Sequence, residues 1–132
     1  MTTPQREEAV RMLRLARRDQ AALVALLNAP EVALPVALFH AQQAAEKTLK
    51  AVMCLRGLEY RRTHDLEQLA AQLADIGLGP VIAQAELSRL TPYAVEYRYD
   101  DEAPQLLSGP EAEAIIVALL EWADAQIGID NS

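Results

Sequence analysis

Tyr97-Arg98-Tyr99 sets a planar guanidinium between two phenol rings. Such a group can grip a phosphate through paired N–H donors while a ring stacks on a base. The same arginine can instead pair with Glu46, Glu96, Asp100 or Asp101 and tie the fold together. A second set lies upstream. At the ~100° per residue of an α-helix, His40, Gln43, Lys47, Lys50 and Cys54 fall on one stripe. Leu38, Ala41, Ala44, Ala45, Leu49, Val52, Met53 and Leu55 fill the opposite side. Lys47 and Lys50, one turn apart, suit a polyphosphate, and the Gln43 amide suits a base edge. The competing reading is a polar seam between two copies, or a surface on which Glu46 pairs with Lys50 at the i,i+4 spacing. Gln43 also fits a buried hydrogen-bonding role, and His40 either a nucleotide contact or an interface.

His64 and Asp65 resemble an acid/base pair in composition, but neighbours at a helix start do not generally face each other, so capping is the simpler role. With two histidines and no Glu-x-x-His pair, a di-iron bundle is excluded. A P-loop, a dinucleotide-binding glycine fingerprint and an acidic polymerase triad are absent as well. No catalytic residue, metal ligand or cofactor is assigned, and nucleotidyl transfer would have to come from a partner chain.

These residues must be positioned by helices. Alanine and leucine dominate, and β-branched and aromatic residues are scarce. The pattern predicts a first helix over 4–27, with Pro4 in the tolerated first turn, and a second over 34–56. The second ends at Arg56-Gly57, a cation followed by a residue suited to left-handed geometry. Thr63 is the expected cap of a third helix over about 64–74, which stops at Gly77, Gly79 and Pro80. A fourth helix begins near Pro80 or Val81 and is interrupted by Pro92; Tyr93 to Tyr99 reads as a short helical continuation. After the acidic linker DDEAPQLLSGP, a last helix covers about 110–127, with Ser108 or Gly109 near its cap.

At 132 residues and 52% hydrophobic content, the chain suits one domain over 1–132. No apolar run reaches the ~20 residues of a membrane span, and the charged start does not read as a signal peptide. One cysteine, Cys54, excludes an internal disulfide and fits a reducing, cytoplasmic setting. The net charge of −7 opposes a broad phosphate-backbone interface. Arginines nonetheless cluster at 6, 11, 14, 17 and 18, where Glu7, Glu8 and Asp19 are available to pair with them.

Three segments, QQAAEKTLKA (42–51), THDL (63–66) and YRY (97–99), occur in the order and spacing of the HEPN domain, and the chain resembles that family, in particular its non-nuclease bacterial branch. The resemblance implies an all-α, up-and-down bundle of four long helices plus a short one, assembled as a homodimer. It also implies a minimal nucleotidyltransferase as partner, in a toxin–antitoxin-like pair, and a nucleotide or RNA contact with no membrane role. Tyr93, Tyr97 and Tyr99 then become candidate acceptors for a transferred group. Relatives that cut RNA carry an arginine followed after four to six residues by a histidine. Here Arg98 is followed at those positions by Ala103, Pro104 and Gln105, and Arg56 precedes His64 by too wide a gap. The expectation is therefore a helical interaction module. A metal-independent RNase or nucleotide-processing enzyme with a degenerate motif and a purely structural bundle are the alternatives.

Overall fold

The computed structural model describes residues 3–60, 62–80, 82–95, 97 and 104–130, the side chains of the last helix being described to Gly128. Among the described residues the fold is an all-α bundle without strands. Three long helices, α1 (Pro4–Leu27), α2 (Leu34–Leu55) and α5 (Gly109–Asp130), are joined by the shorter α3 (Leu66–Asp75) and α4 (Gln84–Leu87) and a 3-10 turn, Thr91–Ala94.

The helix ends follow local chemistry. The Thr3 hydroxyl accepts the Arg6 N–H at 3.1 Å, and Pro4 stands in the first turn of α1, where its missing N–H costs nothing. Ser108 and Glu111 form a reciprocal box at the start of α5: the Ser108 Oγ accepts the Glu111 N–H at 3.2 Å, and Glu111 Oε1 accepts the Ser108 N–H at 2.9 Å. These bonds, with Arg89, hold the Glu111 carboxyl below its usual range.

Two helices end in the same left-handed turn. At Gly57 φ is +69°, the Gly57 N–H reaches the Cys54 carbonyl at 3.0 Å, and the Leu58 N–H reaches that of Met53 at 2.9 Å. Gly77 repeats the pattern after α3, with φ of +77° and Leu78 bonded to Leu73. A Cβ at Gly57 would meet no atom within 4 Å, so replacement strains only the backbone. Gly57→Ala is accordingly expected to cost about 1 kcal/mol, through the left-handed penalty alone. Chemical denaturation that shows no loss would remove this assignment.

α2 is the central element, contacting α1, α3, α5 and the 3-10 turn, with its most extensive packing against α1. Small residues make this possible. Ala37, Ala41, Ala44, Ala45, Thr48 and Ala51 are buried on α2, while Ala9 and Ala16 are buried on α1. Leu13, Leu23, Leu38, Leu49 and Met53 fill the spaces between, each buried side chain of this size contributing about 1.5–3 kcal/mol before entropy is subtracted.

Among the described residues the expected fourth helix is realised as α4 and the 3-10 turn; of the expected continuation over 93–99, residues 96, 98 and 99 lie outside the described residues. Ala83 is extended and supplies no side-chain cap, so the helix has one turn, and Pro92, lacking an N–H, sits at the start of the 3-10 segment instead of kinking a continuous helix. The third helix starts at Leu66 rather than His64. Asp65 is its cap, accepting the Glu67 and Gln68 N–H groups, and the expected cap, Thr63, accepts the N–H of Asp65 at 3.0 Å in a turn just outside the helix. No helix among the described residues is long and apolar enough to cross a membrane.

Candidate functional site

Two polar clusters flank α2, each built on one carboxylate. On the side facing α1, Asp19 receives His40 Nδ1 at 3.0 Å and the Lys47 ammonium. Asp19 thus pairs across helices instead of with the α1 arginines. Arg11 pairs with Glu8 at 2.6 Å, and Arg17 reaches Asp124 of α5 at 2.6 Å.

The second carboxylate belongs to Glu46, which is 8% exposed. Its Oε1 receives His64 Nδ1 at 2.7 Å and Gln42 Nε2 at 3.1 Å, and its Oε2 receives Lys50 Nζ at 3.0 Å. Burial pushes the Glu46 carboxyl up, but the bonds from His64, Gln42 and Lys50 together outweigh it and hold the group below its usual value. The i,i+4 pairing of Glu46 with Lys50 is the one expected from sequence. Lys50 also lies over the Tyr60 ring, 5.3 Å from its centroid. Gln42, fully buried, donates in addition to the His64 carbonyl at 3.2 Å and accepts from Gln43 Nε2 at 2.7 Å. α2 therefore holds both the backbone and the ring of His64.

An ionised carboxylate only accepts hydrogen bonds, so Nδ1 of His64 carries the proton and Nε2 of the neutral ring carries the lone pair. The His64 side chain is 57% exposed. It lines a cleft of about 320 Å³ together with Thr63, Asp65, Thr91, Pro92, Ala94 and Val95. Behind the cleft wall Tyr93 is 1% exposed, and its hydroxyl accepts the Leu106 N–H at 3.1 Å and donates to the Pro104 carbonyl at 3.3 Å. This tyrosine is not an open acceptor for a transferred group. Tyr97 packs edge-on against it with ring centroids 5.7 Å apart.

Of the nucleotide-contacting residues expected from sequence, His40 and Lys47 meet at Asp19, Lys50 is held at Glu46, and Gln43 bonds Gln42. Arg98 and Tyr99 lie outside the described residues. Sequence reasoning missed Gln42 and the joining of Glu46 to His64. The available signal was a Gln and a Glu four residues apart among the alanines of α2, a pair that needs buried partners.

The HEPN domain family model matches residues 9–122, most of the chain. The chain belongs to the HEPN domain family. No curated protein and no solved structure gives a significant match. Membership supports a helical module of the nucleotide-binding or RNase-like kind.

Proposed function

We propose that this HEPN domain is a non-catalytic, homodimeric interaction module that works beside a minimal nucleotidyltransferase in a toxin–antitoxin-like pair and contributes a nucleotide contact through Arg98 and Tyr97. The observation that carries this reading is the assignment of both histidines to carboxylates, His40 to Asp19 and His64 to Glu46, with neither placed four to six residues after an arginine. Lys47 and Lys50 are likewise paired within the bundle, which moves the weight of phosphate binding to Arg98. Val95 forms part of the cleft wall, and Arg98 follows it by three residues in the sequence.

Isothermal titration of ATP and GTP into the wild type and Arg98→Ala, with light scattering on both, tests the nucleotide contact. The expected result is a dimer in each case and binding at least tenfold weaker in the variant. Equal binding in the two proteins would remove Arg98 from the site. Metal-independent RNA degradation lost in Arg98→Ala would replace the non-catalytic reading with the RNase one.

A further inference from the structure

We propose that the cleft between the Thr63–Asp65 turn and the 3-10 segment is a nucleoside site that reads ribose hydroxyls, with His64 and Asp65 as the acceptors. The inference rests on the nucleotide-binding reading above and locates its sugar contact at the turn that precedes α3.

The chemistry of the cleft selects against a bare anion. The first amides of α3 are already used: Leu66 N–H goes to Thr91 Oγ1 at 3.2 Å, and those of Glu67 and Gln68 go to Asp65 Oδ1 at 3.1 and 3.3 Å. Asp65 adds a negative charge, which opposes a phosphate at this point. What the walls offer instead suits hydroxyl groups. His64 presents Nε2 as an acceptor, its ring fixed from behind by Glu46. Asp65 spends Oδ1 on the helix and retains Oδ2 as a second acceptor. Thr63 and Thr91 each accept a backbone N–H through Oγ, which leaves each hydroxyl proton available to donate. Acceptors at His64 and Asp65 and donors at Thr63 and Thr91 match the vicinal hydroxyls of a sugar, each of which both donates and accepts. The rest of the lining is apolar, formed by Pro92, Ala94 and Val95, the last 69% exposed. A flat base covers such a surface, and a volume of about 320 Å³ is at the small end of ligand pockets. Phosphates of a nucleotide would then project out of the cleft toward solvent.

Adenosine is the discriminating probe, because it lacks the phosphates that Arg98 is proposed to hold. Titration into the wild-type protein is expected to show binding that falls at least tenfold in His64→Gln and in Asp65→Asn. The second variant keeps the helix cap, since asparagine caps as well as aspartate, so its loss reports on the ligand rather than on folding. 2′-Deoxyadenosine or 3′-deoxyadenosine is expected to bind the wild type at least tenfold more weakly than adenosine. Absence of adenosine binding, or binding indifferent to both variants and both deoxy analogues, overturns the cleft assignment. ATP binding that depends on Arg98 in that case leaves the proposed function standing with the sugar elsewhere. Hydroxyl-dependent adenosine binding with no effect of Arg98→Ala on ATP establishes the cleft and removes the arginine contact.

Discussion

Replacing Glu46 by alanine is expected to destabilise the fold by about 2–4 kcal/mol, the range for breaking a buried ion pair reduced where one partner reaches solvent. The corresponding fall in melting temperature is roughly 10 °C for a chain of this size. The carboxylate accepts from the Lys50 ammonium, whose side chain is 15% exposed, and, with the His64 carbonyl, from the fully buried Gln42 amide. Its removal leaves a cation near the core without a counter-charge and frees the His64 ring. Glu46→Gln keeps the volume and one acceptor, and is expected to cost about half as much.

The same residue sets a pH signature. Its carboxyl is held below the usual value in the folded state, so the unfolded chain binds the proton more readily. The stabilisation is complete above the ordinary glutamate range, about pH 4–5, and is lost as pH falls through the folded value. Melting temperatures measured from pH 7 to 3 should therefore fall less steeply in Glu46→Gln than in the wild type. Glu8 and Glu111 also have lowered values, but both proteins share them, so the difference isolates Glu46. Parallel acid limbs would show that the carboxylate is not held by its three donors.

Tyr93→Ala is expected to have an effect of similar size, about 3–5 kcal/mol, as for other buried aromatic truncations. The ring is 1% exposed in the core, and its hydroxyl clips residues 104–106 back onto the 3-10 turn. Tyr93→Phe separates these two roles. It preserves the packing and leaves the Leu106 N–H and the Pro104 carbonyl without their partner, at about 1–2 kcal/mol. Hydrogen exchange at the Leu106 amide should speed up in Tyr93→Phe. Unchanged exchange there would mean that the hydroxyl is not what holds the segment. The position matters for function because this tyrosine lies between two residues of the cleft wall, Pro92 and Ala94.

Helix type and extent are largely local properties, and here they are legible in the chain. The periodicity over 4–27 and 34–56 matches α1 and α2 to within a residue, because proline in the first turn and Gly57 after the last one are signals that act over a few bonds. The family is legible in the QQAAEKTLKA and THDL segments, which carry the residues that build the Glu46 cluster. The region from 80 to 95 is less legible, since a one-turn helix and a 3-10 turn have too few residues for a period to emerge.

By itself the sequence determined an all-helical chain, the positions of its long helices, the HEPN resemblance and the lack of an arginine–histidine nuclease motif. Only the tertiary structure decided which charges meet. Lys47 goes to Asp19, 28 residues away, and His64 to Glu46, 18 residues away. Helical spacing ranks partners three or four residues apart on one helix and is silent about the helix packed opposite. Burial then decides the outcome, because a carboxylate drawn into the seam must collect donors from whichever elements surround it. That requirement turned His64 from a presumed capping neighbour into a positioned ring at the edge of a cleft.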